Sequence, residues 1–291
     1  MKKITILFFT IILFVQTNLT AQTYEELTKL DDFSIDVYFS PGNEERTNII
    51  ANRCDSAIKY IKDLIGFEPE VSLLVLNPEH WKKYATFPVY GMPHYLGNKS
   101  LVVASDDNDF WRSFLPPSEQ LPKELADRIK DTYSLDDGTI SMKAFFDLLA
   151  LHELGHGFHL QAGLKMQRLW MQEFFSNLLL HTYMAENEPE NLPAVEVFTE
   201  MVVAAGSSEY QFTSLADFEK MYDSMDPKNY GWYQSKLTVA AKNVYNSGGK
   251  DILVKLWHAL KNNQNEMNDE ELAVMLRNEV HEEVAKILTD W

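Results

Sequence analysis

The feature that most constrains this chain is the apolar segment AFFDLLALHELGHGFHLQAG (residues 144–163), which carries titratable side chains in its middle. Its leucines and phenylalanines recur around the whole circumference of a helix, which predicts a helix in the core. His152, Glu153 and His156 stand in that helix, and burying such groups costs free energy unless each has a partner. Gly155 lowers helix propensity relative to alanine and therefore indicates that another element comes close. The three polar side chains must either satisfy one another or hold a cation between them.

The spacing of the two histidines is that of a zinc-binding pair. His152 and His156 are four residues apart, so on a helix they lie on one face, one turn apart. Two imidazoles at that spacing reach one zinc ion at ~2.0–2.1 Å. Glu153 is rotated by about 100° from His152, beside the metal, where it can take a proton from a water that the metal activates. The structural alternative is that both histidines donate to backbone carbonyls in the core.

The next predicted helix, LWMQEFFSNLLLHTYM, offers a third ligand. Glu173 and Asn177 share a face of this helix because they are four residues apart. Glu173 would complete a set of three protein ligands with a fourth position open to water, as in catalytic zinc sites. Asn177 is expected to accept a hydrogen bond from the other ring nitrogen of a ligand histidine, which fixes its tautomer. Without the preceding HExxH pattern, Glu173 would be an ordinary charge on a helix.

HELGH followed by WMQEFFSN resembles the gluzincin metallopeptidases, the clan of thermolysin and the zinc aminopeptidases. The resemblance implies one Zn²⁺ ion with His152, His156 and Glu173 as its ligands. It also implies that Glu153 is the general base and proton shuttle. The expected activity is therefore that of a secreted zinc metallopeptidase that hydrolyses peptide bonds.

Other histidines in the same two helices are not expected to be ligands. The metzincin pattern HExxHxxGxxH does not fit, because His159 and Ala162 stand where that pattern needs glycine and histidine. His159, which follows His156 by three residues, is interpreted as a residue behind the ligands or on the surface. His181, two turns beyond Glu173, receives the same interpretation.

A tyrosine is expected to assist the reaction. The segment NYGWYQSKLTVAAKNVYNSGG resembles the part of gluzincin aminopeptidases where a tyrosine precedes a helix and donates to the tetrahedral intermediate. The distance from the tyrosine to the glycines favours Tyr233 in this role, with Tyr230 in reserve. A phenol aimed at a developing oxyanion is chemically sound, although aromatic residues at the start of a helix more often serve packing.

Strand patterns are confined to the first part of the chain. Segments 33–39, 71–76 and 100–105 alternate or cluster as strands do, and the last is expected to be an edge strand beside the cleft. Helical patterns cover residues 43–65, 119–133, 142–161, 168–186, 193–206, 214–223, 231–247, 250–263 and 269–289, with Asn268 and Glu271 as a capping pair. We therefore predict an α+β fold in one peptidase domain. A small N-terminal αβ lobe (22–117) with a twisted, mainly antiparallel sheet precedes a larger helical lobe (118–291), and the zinc site lies between them.

The beginning of the chain predicts export. Lys2 and Lys3, the apolar residues 4–15 and the small Ala21 have the layout of a signal peptide over residues 1–21, with an uncleaved membrane anchor as the alternative. The mature protein is expected to be secreted or periplasmic without stable membrane insertion. A formal net charge of −17 repels nucleic acid and offers no polybasic patch for anionic lipid. The single cysteine, Cys54, allows no intrachain disulfide bond.

Two other functions compete with a peptidase. The same ligands would serve a zinc hydrolase of non-peptide amides or esters, or a non-catalytic binding protein that retains zinc. An intact Glu153 disfavours the last, because a structural zinc site needs no base and usually closes all four positions with protein ligands. The expected partner is a peptide or protein substrate. The stretch YGMPHYLG has no glutamate to hold a free amine, which disfavours an aminopeptidase, and oligomeric state is left open.

Overall fold

Strands alternate with helices in the first part of the chain. The computed structural model describes residues 24–97 and 99–291, so the predicted signal peptide over residues 1–21 lies outside the described residues. The elements of this part are β1 (Thr28–Leu30), β2 (Asp36–Phe39), α1 (Glu44–Ile65), β3 (Ser72–Leu76), α2 (Pro78–Tyr84), β4 (His94–Leu96), β5 (Ser100–Ala104) and α3 (Asp109–Arg112).

The five strands form one mixed sheet in the order β1-β2-β3-β5-β4. The central pairs β2–β3 and β3–β5 are parallel, and the outer pairs β1–β2 and β4–β5 are antiparallel. The expectation of a mainly antiparallel sheet is therefore wrong. The long helix α1 returns the chain to the start of β3, which makes β2 and β3 parallel, whereas only three residues of sequence separate β4 from its antiparallel partner β5.

The expectation that segment 100–105 forms an edge strand is also wrong. β5 pairs with β3 on one side and β4 on the other, and all five of its residues are buried. The outer strand on this side of the sheet is β4, which lies in the proline- and glycine-rich segment before β5. Proline and glycine are typical of turns, so the sequence of this segment does not indicate a strand.

The rest of the chain is helical and close to the predicted pattern. The helices are α4 (Lys123–Tyr133), α5 (Lys143–Gln161), α6 (Leu169–Asn187), α7 (Pro193–Ala204), α8 (Leu215–Met221), α9 (Pro227–Gly248), α10 (Asp251–Asn262), α11 (Asp269–Met275) and α12 (Glu282–Thr289), with 3-10 turns at Ser118–Gln120 and Pro189–Asn191. Asn268 and Glu271 form the expected capping box. The predicted last helix is interrupted: a π-helical turn (Leu276–Val280) ends at His281, whose extended backbone and side chain begin α12.

Helix α5 occupies the position that matters most for the site. It packs closely against α6 and also contacts α1, α7, β4 and β5. Its residues Leu151, Leu154 and Phe158 are fully buried, as the apolar pattern predicted. Among residues 24–97 and 99–291, no helix has the length and apolar character needed to cross a bilayer.

Candidate metal centre

Three side chains from α5 and α6 converge on one point. The Oε2 atom of Glu173 lies 3.2 Å from Nε2 of His152 and 3.6 Å from Nε2 of His156. The two Nε2 atoms are 3.2 Å apart. Glu173 is only 1 % exposed and His152 only 6 %, so these polar atoms are held together inside the protein.

The spacing of these atoms fits a tetrahedral metal ion. A tetrahedron with metal–ligand bonds of ~2.0–2.1 Å has edges of about 3.3 Å, close to all three separations. Two imidazole nitrogens and one carboxylate oxygen are also a ligand set of catalytic zinc. The cluster can therefore take a divalent cation without rearrangement of the helices.

Hydrogen bonds behind the cluster orient both imidazoles. Nδ1 of His152 lies 2.9 Å from Oδ1 of Asn177, which confirms the predicted hydrogen bond. Nδ1 of His156 lies 3.0 Å from Nε2 of His159, a buried residue. Burial, together with neighbouring His156, lowers the pKa of His159 to about 3, so its neutral ring can accept this bond. With Nδ1 as donor, each histidine turns the lone pair of Nε2 towards Glu173.

The buried charge of Glu173 needs a positive partner. Burial by itself would raise the pKa of Glu173, but His156 and His152 hold that pKa well below its usual value. Burial also favours neutral His156, yet the Glu173 carboxylate raises the pKa of His156 to about 8. Glu173 is thus ionised in a buried position and must be neutralised by a proton on a histidine or by a metal ion.

Two residues that the sequence analysis missed donate hydrogen bonds to the carboxylate of Glu173. The hydroxyl group of Tyr222 donates to Oε1, and Nε2 of Gln234 donates to Oε2 at 2.6 Å. The carbonyl oxygen of Gln234 accepts from Nδ2 of Asn177 at 3.2 Å. No local sequence signal marks either residue, because both reach Glu173 only through the packing of α8 and α9 on α6.

Glu153 follows His152 on α5 and lies next to strand β4. It is half-buried, and burial raises the pKa of its carboxyl group. The backbone N–H of Tyr95 on β4 is close enough to Glu153 to act against that rise. The Tyr95 ring lies directly on Gly157, where an added Cβ would come within 2.7 Å of its hydroxyl oxygen. The outer strand of the sheet is therefore packed tightly beside Glu153.

The structure brings Tyr230, rather than Tyr233, towards the cluster. The Tyr233 hydroxyl donates to the backbone carbonyl of Ser214 at 2.7 Å, and its buried ring packs against Phe218. Tyr230 is half-buried, and its oxygen accepts from Nε2 of Gln234 at 2.7 Å, the same amide nitrogen that donates to Glu173.

The remaining candidate, His181, lies further along α6. It is buried, and its ring packs edge-on against that of Tyr245, with 5.2 Å between the ring centroids. The surface position that the sequence analysis allowed for His181 is therefore wrong, because the ring is buried and packs against Tyr245.

The chain matches no known protein-family model, and no curated protein matches its sequence. Its function must therefore be inferred from the chemistry of the cluster itself.

Proposed function

We propose that this protein is a secreted zinc metallopeptidase of the gluzincin type that hydrolyses peptide bonds. The observation that carries the proposal is the convergence of His152, His156 and Glu173 at tetrahedral spacing, with Glu153 beside them. His152, His156 and Glu173 would hold the zinc ion, which would supply a Lewis acid for the substrate carbonyl and lower the pKa of a water molecule to about 7. Secretion is proposed from the sequence of residues 1–21 alone.

Glu153 is the proposed general base. Its carboxylate takes the proton of the attacking water and returns it to the leaving amine, which is the expected work of a glutamate next to a zinc-binding histidine. Burial raises the pKa of Glu153 and so makes it a better proton acceptor than a free glutamate.

Tyr230 replaces Tyr233 as the proposed oxyanion donor. In the bond between Gln234 and Tyr230 the amide supplies the hydrogen, which leaves the hydroxyl hydrogen of Tyr230 for another acceptor. That acceptor is the Tyr222 oxygen in the structure and the substrate carbonyl in the proposed reaction. Burial and the nearby Glu173 carboxylate raise the pKa of Tyr230 well above its usual value, which keeps the phenol protonated. A donor in this place stabilises the charge that develops on the substrate carbonyl.

Strand β4 is the proposed docking edge for a peptide or protein substrate. Within the part of the chain that the structure describes, β4 is the end strand of the sheet and pairs with β5 alone, so its other side can pair with the backbone of an extended peptide. Tyr95 in the middle of β4 lies next to Glu153, so a peptide bound along this strand would pass the proposed base. Neither nucleic acid nor stable membrane insertion is part of the proposal.

Digestion of a peptide library by wild type and by Glu153→Gln, with the zinc content of both measured, tests this function. We expect wild type to cleave peptides and to hold about one zinc ion per chain. Glu153→Gln should keep the zinc and lose about 10²–10⁴-fold in rate, the usual contribution of a general base. Glu190→Gln, the same change at an exposed position, is the control and should behave as wild type.

Each alternative gives a different result in this experiment. Equal cleavage by wild type and Glu153→Gln would contradict the role of Glu153. Retention of zinc without cleavage of any peptide or ester by wild type would indicate a binding protein. Cleavage of esters but not of peptides would indicate a hydrolase of another class.

A further inference from the structure

Both carboxylate oxygens of Glu173 accept hydrogen bonds from residues other than the histidines. Oε1 accepts the hydroxyl hydrogen of Tyr222, and Oε2 accepts from Gln234 at 2.6 Å. Only Oε2 also faces the two imidazoles, at 3.2 and 3.6 Å. Oε1 therefore cannot turn towards the metal position without losing its bond to Tyr222.

Helix α8 fixes Tyr222 in place relative to α6. The carboxylate of Glu219 accepts the backbone N–H groups of Leu169 and Trp170, at 2.9 and 3.0 Å, and so caps the start of α6. Tyr222 directly follows α8 and keeps a helical backbone conformation, so it lies on the same side as Glu219, three residues before it. Its oxygen in turn accepts from Nε2 of Gln172 at 2.8 Å, so the hydroxyl hydrogen is directed at Glu173.

Gln234 is fixed by a chain of hydrogen bonds that starts at a ligand histidine. His152 bonds to Asn177, Asn177 donates to the Gln234 carbonyl at 3.2 Å, and Gln234 donates to Glu173. The amide of Gln234 therefore cannot rotate away from Glu173 without breaking its bond to Asn177. Hydrogen bonds outside the metal position therefore connect His152 on α5 to Glu173 on α6.

We propose that Tyr222 and Gln234 are positioning residues that hold Glu173 as a single-oxygen ligand and thereby make the site select four-coordinate ions. This inference rests on the proposed metal centre. A carboxylate that offers one oxygen, with two imidazoles, leaves one open position on a tetrahedral ion such as Zn²⁺ or Co²⁺. It disfavours Mn²⁺, which prefers six oxygen-rich ligands and would gain from a second carboxylate oxygen.

Metal titrations and the visible spectrum of the Co²⁺-loaded protein test the proposal in Tyr222→Phe. Four-coordinate Co²⁺ absorbs more strongly in the visible range than six-coordinate Co²⁺, because its surroundings lack a centre of symmetry. Tyr222→Phe frees Oε1, so we expect weaker Co²⁺ bands, zinc affinity lower by roughly 10–100-fold and a smaller preference for Zn²⁺ over Mn²⁺. Gln234→Leu leaves Oε1 bound to Tyr222 and should lower zinc affinity without weakening the Co²⁺ bands.

Tyr245→Phe is the matched control, because the Tyr245 hydroxyl also donates to a carboxylate, that of Glu186 at 2.8 Å, on another part of the molecule. It should leave all three metal properties unchanged. Wild-type Co²⁺ bands of six-coordinate strength would overturn the inference, as would a Tyr222→Phe protein that matches wild type in spectrum and metal preference. A wild-type protein that binds neither Zn²⁺ nor Co²⁺ would instead contradict the proposed function itself.

Discussion

Tyr230 and Tyr233 show how one turn of a helix separates two similar residues. They lie three residues apart on α9, but the Tyr233 hydroxyl is bonded to a backbone carbonyl while that of Tyr230 adjoins the amide that holds Glu173. Sequence spacing cannot make this distinction, because it depends on which face of α9 packs on α6. The structure therefore favours the reserve candidate.

Substitution of each tyrosine by phenylalanine should separate their roles. Tyr230→Phe removes the proposed oxyanion donor, so we expect kcat for peptide hydrolysis to fall about 10²–10³-fold with zinc content unchanged. Tyr233→Phe removes one hydrogen bond to a backbone carbonyl and should lower the free energy of unfolding by about 1 kcal/mol, with kcat near that of wild type. Steady-state kinetics and denaturant unfolding of both variants measure this. A larger fall in kcat for Tyr233→Phe than for Tyr230→Phe would indicate that Tyr233 is the oxyanion donor.

At the scale of elements, α5 and α6 approach so closely that their contact point permits no side chain. A Cβ on Gly155 would lie 2.6 Å from Cα of Ser176, a backbone atom that cannot move without its helix. This confirms the expectation that Gly155 marks a close approach. Ser176 lies between Glu173 and Asn177 in sequence, so the same contact sets the distance from the two histidines to their partners.

Gly155→Ala should therefore weaken both the fold and the metal centre. Overpacking at this contact costs about 1–3 kcal/mol, which outweighs the gain of about 1 kcal/mol in helix propensity. We expect a lower free energy of unfolding and a weaker zinc affinity, because α6 must move away from His152 and His156. Denaturant unfolding and a zinc titration measure the two effects.

Gly231→Ala is the control for this substitution. Gly231 lies within α9, and nothing comes within 4 Å of a Cβ added there. The helix should gain stability by up to about 1 kcal/mol without change in zinc affinity. If both variants were as stable as wild type, α5 and α6 would not be in the tight contact described.

Sequence periodicity predicted what depends on local spacing. The helices and the approach of His152 to His156 follow from residues three or four apart, and the bond of Asn177 followed from its place one turn beyond Glu173. Tyr222 and Gln234 could not be predicted, because they reach Glu173 from positions 49 and 61 residues away. The parallel pairing of the central strands was missed for the same reason: strand order depends on how the connections pack and not on the strands themselves.

At the scale of the whole molecule, a buried histidine outside the cluster should make stability depend on pH. Burial, with a smaller effect of Lys242, lowers the pKa of His181 from 6.5 to about 4. The unfolded chain therefore binds a proton on this residue at a higher pH than the folded protein does. The contribution of His181 to the free energy of unfolding is complete above pH 6.5. It is lost as the pH falls towards 4, by about 3 kcal/mol in total.

Denaturant unfolding at several pH values between 6.5 and 4 measures this loss. Glutamine does not titrate, so in His181→Gln the decrease in the free energy of unfolding over this pH range should be smaller than in wild type. His258→Gln removes an exposed histidine on α10 and should leave the slope unchanged. Identical slopes for wild type and His181→Gln would show that burial of His181 does not affect stability in this range.

The most direct test of the metal centre is anomalous X-ray scattering from crystals of the zinc-supplemented protein, measured above and below the zinc absorption edge. We expect one peak per chain, ~2.0–2.2 Å from Nε2 of His152, Nε2 of His156 and one carboxylate oxygen of Glu173. The peak should be missing in His156→Ala. A wild-type crystal without a peak at this place, or with Glu173 turned away from both imidazoles, would contradict the proposed metal centre.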